Sequence, residues 1–409
     1  MDAERSYDLV LFGATGFTGR LTAEYLARTV PEGCRWALAG RNPQKLAEVR
    51  RQLAAEHPDL AELPLLTADA ADRAALRVVA ESARVVVSTV GPYQRHGEPL
   101  VAACADAGTD YLDLTGEPEF VDRMYVLHHE RALATGARLV HSCGFDSIPH
   151  DLGVLFTLGQ LPTGTKDAAV AVRGYVRAGG TFSGGTFASA LTAFARPRAN
   201  AQAARARRAA EPRPAGRRIR TTPKGPHRSV DAQAWAWPLP TIDAQVVGRS
   251  AAALAEYGRE FQYGHYAAVK RLPVALGGTA GIALLVLAAQ LPPLRRALER
   301  LRGPGEGPSA ERRAKSWFTV RFAAESAGAR VWTEVSGGDP GYTETAKMLA
   351  EAALCLAFDE LPVTAGQVTP AVAMGGALID RLRAAGLRFA VLDQPPGGAP
   401  QRVVRAARS

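Results

Sequence analysis

The feature that most constrains this chain lies at its start: an apolar stretch, Leu9 to Phe12, runs directly into three glycines at Gly13, Gly16 and Gly19. A helix-compatible stretch, Arg20 to Thr29, follows. This strand–turn–helix order is the context a dinucleotide fingerprint requires. Gly13 permits the tight turn, Gly16 lets backbone approach a pyrophosphate, and Gly19 lets the helix lie close to the strand. The helix N-terminus offers unpaired N–H groups to the phosphate. Gly13, Ala14, Thr15, Gly16, Phe17, Thr18 and Gly19 are therefore candidate cofactor residues.

The second strand, Trp36 to Ala39, ends in Gly40-Arg41-Asn42, where an NAD site usually carries an acid for the ribose 2′-hydroxyl. Arg41 stands there instead, a permanent planar cation suited to a 2′-phosphate. The expected cofactor is NADP(H), with Arg41 and Asn42 at its ribose end. A third strand, Leu63 to Thr67, puts Asp69 within reach of the adenine ring. The β-branched run Val85 to Val90 reads as a buried parallel strand. It leads through Thr89 and Val90 into Gly91, Pro92 and Tyr93, at the carboxyl edge where such sheets bind ligands. Tyr111 to Leu114 and Leu139 to Ser142 complete six strands. The last leads into Cys143, Gly144, Phe145 and Asp146, also expected beside the cofactor, with Asp146-Ser147 before Ile148-Pro149 as a helix cap.

These segments carry a resemblance. Gly-Ala-Thr-Gly-Phe-Thr-Gly (13–19), Ala-Gly-Arg (39–41), Val-Gly-Pro-Tyr (90–93), Asp-Leu-Thr-Gly-Glu (113–117), Cys-Gly-Phe-Asp-Ser-Ile-Pro (143–149), Gly-Asp-Pro-Gly-Tyr (338–342) and Thr369-Pro370 are similar to the saccharopine dehydrogenase-like oxidoreductases. Within them the chain resembles the trans-acting enoyl reductase group of actinobacterial lipid and polyketide synthesis. The resemblance implies NADPH-linked reduction of a lipid-like substrate, carrier-bound or free. The expected fold is α/β: a Rossmann doubly wound parallel sheet plus a second α+β domain with a mixed sheet. Residues 1–150 are read as the NADP-binding domain, with 365–409 packing back on it, and 151–364 as the substrate domain.

At 409 residues the chain can bury a large core. Its four cysteines, Cys34, Cys104, Cys143 and Cys355, are scattered, which fits a reducing cytosol and argues against disulfides or a zinc site. The start of the chain lacks the basic-then-apolar order of a signal peptide. Net charge is +9, yet residues 196–228 hold eleven Arg or Lys and one acid, Glu211, so the remainder is nearly neutral. This Pro-, Ala- and Arg-rich arm reads as a solvated loop, with attraction to anionic lipid or an acidic carrier as its functional reading. No recognisable nucleic-acid module accompanies it, so nucleic acid is not an expected partner.

In the second domain, Ala168 to Val176 alternates like a strand. Ser316 to Phe322 and Val331 to Val335 read as strands of a hairpin turning at Ser326 to Ala329. Thr343 to Phe358 and Pro370 to Ala385 read as helices. Leu272 to Leu294 has no charged residue, basic flanks (Lys270-Arg271, Arg295-Arg296), and Tyr257, Phe261, Tyr263 and Tyr266 upstream like an interfacial aromatic belt. Internal Gly and Pro and the symmetric flanks argue against a simple span. A monotopic anchor or lipid-binding helix is the preferred reading; a core or homodimer-interface helix and a span are the alternatives. The expected location is cytoplasmic, peripheral at the inner face of the membrane.

For the chemistry, Tyr93 and Tyr342 are the candidate catalytic residues, Tyr93 as a proton donor or packing group and Tyr342 as a side chain closing the pocket. His141 and His150 are further possible acids. No metal cluster, triad or paired carboxylate stands out. Imine reduction of an amino-acid adduct, and nucleotide binding without turnover, are the competing readings.

Overall fold

The computed structural model describes residues 5–165, 168–179, 196–291, 293–294 and 307–395. The flank Arg295-Arg296, Pro292 and residues 396–409 lie outside the described residues.

Two sheets organise the chain. The first is parallel, in the order β14-β6-β5-β4-β1-β2-β3. Its strands are β1 (Tyr7–Phe12), β2 (Trp36–Gly40), β3 (Leu65–Thr67), β4 (Ala83–Ser88), β5 (Asp110–Asp113), β6 (Arg138–Val140) and β14 (Gly366–Val368). Val85, Val86 and Val87 of β4 are buried, as a central parallel strand covered on both faces requires. The strand order reverses about β1 and β4, which places a ligand crevice at their carboxyl ends. The seventh strand was not read from the sequence: Gly366–Val368 pairs in parallel with Arg138–Val140 from far along the chain.

The second sheet is mixed, in the order β15-β13-β12-β7-β11-β10-β9, with β8 also pairing β11. Its strands are β7 (Val170–Gly179), β8 (Arg218–Arg220), β9 (His227–Ser229), β10 (Ala234–Pro238), β11 (Glu260–Val269), β12 (Trp317–Ser326), β13 (Ala329–Gly337) and β15 (Arg388–Leu392). β7 and β11 run parallel, whereas β12 pairs antiparallel with both β7 and β13. The β12–β13 hairpin turns at Ala327 and Gly328, both with positive φ (49° and 80°), the type I′ geometry whose twist matches the flanking strands.

Helix Thr343–Phe358 forms over the residues read from the sequence and joins the two halves. It packs on β1, β4, β5 and helix Phe17–Thr29. Helix Ile148–Gly159 packs on β12 and β13 from the other side. One continuous apolar cluster therefore runs from Leu9 and Val87 through Leu152 and Met348 to Phe322 and Val335.

Two readings are corrected. The arm at 196–228 is not a loop: Pro197–Ala210 is a helix laid along helix Pro118–Thr135, and two short strands follow it. Its alanines favour helix, and acids on the opposing helix anchor it. Arg196 grips the Glu119 carboxylate through two nitrogens (2.9 and 2.8 Å), and Arg207 pairs with Asp122 and Glu211. The aromatic belt is also absent, because Tyr257, Phe261, Tyr263 and Tyr266 are all buried. The last three lie on β11, an interior strand paired on both edges.

Leu272–Gln290 is a single helix. It meets β10 and β11, where Ala275 is buried. Beyond that several of its apolar side chains face solvent: Leu276 is 53%, Leu284 67% and Leu287 63% exposed, while Leu272, Leu285 and Val286 are half-buried. Among the described residues no helix is long and apolar enough to cross a membrane.

Candidate active site

Every motif singled out in the first domain emerges at the carboxyl edge of the parallel sheet. At the end of β1, Gly13 takes φ +91°, where L side chains are strained, and a Cβ there would lie 2.7 Å from Thr89 and Val90 side-chain atoms. A Cβ on Gly19 would lie 2.2 Å from the Gly13 carbonyl oxygen, so this glycine lets the helix sit on the turn. Gly16 differs. Its φ of −73° suits any residue, so its need for glycine is not conformational. It is the N-cap of helix Phe17–Thr29 and has no side-chain cap bond. Only the Gly13 carbonyl, at 3.4 Å, would stand near an added Cβ. The first turn's N–H groups and the open space above Gly16 fit a pyrophosphate. Ala14 is buried, while Thr15, Phe17 and Thr18 are half-buried at the rim.

Thr89 ties β4 to this loop by donating its hydroxyl to the Gly13 carbonyl (3.1 Å). Arg41 is exposed at the tip of β2, where a 2′-phosphate would reach it. Asn42 beside it caps the next helix, accepting from the Lys45 N–H at 2.8 Å. Asp69 is exposed and accepts from the Ala71 N–H within its own turn.

The Asp113-to-Glu117 segment holds the neighbouring loops. The Glu117 carboxylate accepts the N–H groups of Tyr93 and Gln94 (3.1 and 2.9 Å), which fixes the Gly91-Pro92-Tyr93 turn. Asp113 accepts the Ser142 N–H and sits 2.7 Å from His141 Nδ1, both in the dry interior. His141 thus knits β5 to β6.

Tyr93 is not placed as a proton donor. Its ring is buried, its hydroxyl donates to the Ser88 carbonyl (3.0 Å) and accepts from the Leu114 N–H (3.2 Å). Burial also holds its ionisation well above the ordinary tyrosine value. The structure makes it an internal strut under the cofactor edge.

The turn after β6 meets the second motif loop. The Phe145 N–H donates to Thr345 Oγ1 (3.1 Å), which donates to the Pro340 carbonyl (2.7 Å). A Cβ on Gly144 would clash with Leu114 and Thr345, so this close contact needs glycine. Asp339, buried, accepts the Thr343 N–H (3.0 Å) and caps the long helix. That cap sets Tyr342 edge-on against Phe17, ring centroids 4.8 Å apart, directly at the glycine loop. Cys143 is buried and its thiol is pushed far up by desolvation. Ser147 stands at the N-cap of helix Ile148–Gly159 but makes no side-chain cap bond. Asp146 is partly open; burial, then the nearby Asp243, pushes its carboxyl up to about 7.

Behind this turn lies a group that sequence reasoning missed. His150, Asp243 and His265 come together in the interior, all three buried. Only His150 was singled out, as a lone acid; the others sit in separate elements with no local pattern linking them. Burial pushes the His265 imidazole down to about 4, so it is neutral at physiological pH.

The family described as the saccharopine dehydrogenase NADP binding domain matches residues 9–139. A Mycobacterium tuberculosis protein, provisionally named a trans-acting enoyl reductase, is 41% identical over 94% of this chain and 97% of its own length. The trans-acting enoyl reductases of Mycobacterium bovis and Mycobacterium leprae are each 37% identical over the same shares. Apo saccharopine dehydrogenase (L-Glu forming) of Saccharomyces cerevisiae superposes with a TM-score of 0.55 over 94% of this chain and all of that one; at 11% identity it shares the fold. NADP(H) is the cofactor of the parallel-sheet domain, and the protein is an NADP-dependent oxidoreductase belonging to the trans-acting enoyl reductase family of saccharopine dehydrogenase-like proteins.

Proposed function

We propose that this reductase saturates a carbon–carbon double bond in a lipid or polyketide chain, and that it meets its substrate at an anionic membrane surface on which helix Leu272–Gln290 rests. The observation that carries the reading is that helix. It holds no charged residue, follows Lys270 and Arg271, and turns Val274, Leu276, Leu284 and Leu287 outward. Burying each such side chain is worth about 1.5–3 kcal/mol. A basic residue near an anionic surface adds about 1 kcal/mol. The apolar share therefore dominates, and salt should loosen the attachment without abolishing it. At a rise of about 1.5 Å per residue the helix is about 28 Å long, which suits a rod lying in the interface.

In this reading the cofactor is held by 13–19 at its pyrophosphate, by Arg41 at its 2′-phosphate, and by Thr89 to Pro92 and Cys143 to Asp146 near its reactive end. NADPH bound there supplies the hydride. The protein's own part is to align the alkene, with Tyr342 closing one side of the space beside Phe17, while the carbon that does not receive the hydride takes its proton from solvent. Such positioning is where much of the rate enhancement of a bimolecular transfer arises.

The test is NADPH oxidation by the purified protein with an α,β-unsaturated acyl lipid presented in anionic vesicles, with mass spectrometry of the product. Formation of the saturated lipid supports the reading. Turnover only with an imine of an amino acid would replace it with saccharopine-type chemistry, and NADPH binding without turnover of either would make the chain a nucleotide-binding protein.

A further inference from the structure

His150, in the first turn of helix Ile148–Gly159, Asp243, first residue of helix Asp243–Ala253, and His265, on β11, converge where these two helices pack on each other and on the second sheet. They are 2%, 4% and 1% exposed. One ligand atom from each lies within 4.8 Å of the others. His150 Nδ1 is 2.7 Å from Asp243 Oδ1, and His265 Nε2 is 3.6 Å from Asp243 Oδ2.

The first contact is a close ion pair. His150 Nε2, the other ring nitrogen, is buried with no hydrogen-bond partner. A buried polar group left this way costs about 1–3 kcal/mol. A second imidazole and a carboxylate stand beside it, the donor set that a cation would take up. His265 is oriented from behind: its Nδ1 lies 3.0 Å from the Tyr263 hydroxyl, which leaves Nε2 toward Asp243. Outer support of this kind is characteristic of metal-ligating histidines.

We propose that His150, Asp243 and His265 bind a divalent transition-metal cation, with Zn²⁺ as the best match. Two imidazoles and one carboxylate suit a borderline cation, whereas Mg²⁺ and Ca²⁺ favour oxygen shells. Metal–ligand distances of about 2.0–2.2 Å put neighbouring tetrahedral ligand atoms about 3.3–3.6 Å apart, so atoms that now lie between 2.7 and 4.8 Å of one another would move by up to about 1.5 Å on binding. Three protein ligands leave a fourth position open, as in sites that hold water or a substrate oxygen. The cation joins two helices and β11 directly behind Phe145, whose ring meets His150 edge-on at 5.5 Å.

The site is independent of the substrate reading and is tested on full-length, tag-free protein stripped with a chelator. Zn²⁺ is titrated calorimetrically and Co²⁺ by visible absorption, with NADPH affinity measured on the same samples. The expected result is one equivalent of either metal, with Co²⁺ bands of a four- or five-coordinate site. Asp243→Asn and His265→Gln should each lower affinity by more than about 100-fold, beyond the roughly 10–100-fold of an outer-shell change such as Tyr263→Phe. Should the buried variants fail to fold, X-ray absorption of the Zn²⁺-loaded parent decides, because two imidazoles give a distinct scattering pattern. No binding by the folded parent, binding unchanged in both variants, or a spectrum without imidazole overturns the proposal.

Discussion

Two apolar helices of this chain have opposite surroundings. Thr343–Phe358 has twelve of its sixteen residues buried and packs on the parallel sheet and on two other helices. Leu272–Gln290 has nineteen residues and, among its described side chains, buries only Ala275. Their charges explain the contrast. The first carries charged residues that the fold uses: Tyr25 donates to Glu351 (2.6 Å), Arg381 reaches the same carboxylate, and Lys347 pairs with Glu344 (2.8 Å). The second carries none, and its cations stand just outside it. Apolar content says that a segment avoids water. Charges with internal partners say that the protein itself supplies the dry environment; their absence, with a basic flank, points to an external one.

This contrast makes unequal demands on substitution. Leu349→Ala, in the middle of the buried helix, should cost about 2–5 kcal/mol in denaturant unfolding. Leu284→Ala on the other helix should stay within about 0.5 kcal/mol. Similar losses at both positions would erase the distinction.

Next in size is a change that removes the cofactor while sparing both helices. Gly16→Val places a side chain where the proposed site would hold the pyrophosphate, at a φ valine tolerates, so NADPH binding should be lost in a folded protein that still binds vesicles. Retained NADPH affinity would move the cofactor elsewhere. Arg41→Ala should weaken NADPH by about 1.5–3 kcal/mol, the worth of a charge-assisted phosphate bond, and leave NADH almost unchanged. Equal losses for the two cofactors would refute the role of Arg41.

The smallest effect concerns how the buried helix is pinned at its end. Arg381 grips Asp359, which caps that helix, and Asp359 titrates below the ordinary carboxylate value despite desolvation, through its bonds to Arg381 and Cys355. Its folded-state pKa is depressed, so its contribution is present above the unfolded value near 3.9 and fades as pH falls through the folded one. Asp359→Asn should cost under about 1 kcal/mol at neutral pH and flatten the acid limb of the stability curve. An unchanged acid limb would show that the pair does not pin the helix.

The parallel sheet was legible because its signals are local. Val85-Val86-Val87 is a buried strand by composition, and the glycines of 13–19 are spaced for the turn they make. The hairpin at Ala327-Gly328 and the helix at Thr343 could be read for the same reason. What escaped depends on partners distant in sequence. Gly366–Val368 is too short to declare itself, and only the free edge of β6 makes it a strand. The arm at 196–228 looked solvated because its acidic partners, Glu119 and Asp122, lie on another helix. Tyr93 looked reactive at a loop tip until Ser88 and Leu114 claimed its hydroxyl. The His150–Asp243–His265 cluster is assembled from three elements, and no spacing rule connects them.

The central claim is that the uncovered helix belongs against lipid, and vesicle sedimentation tests it most directly. The parent protein is compared with a Leu276→Ser, Leu284→Ser, Leu287→Ser variant on anionic vesicles at low and high salt, with NADPH affinity and molecular size in solution recorded for both. The account predicts that the parent sediments, that high salt releases only part of it, and that the variant stays in solution with unchanged NADPH affinity. A parent that ignores vesicles, joined to a variant that unfolds or to a dimer that the substitutions dissociate, would contradict it and make this helix a protein–protein surface.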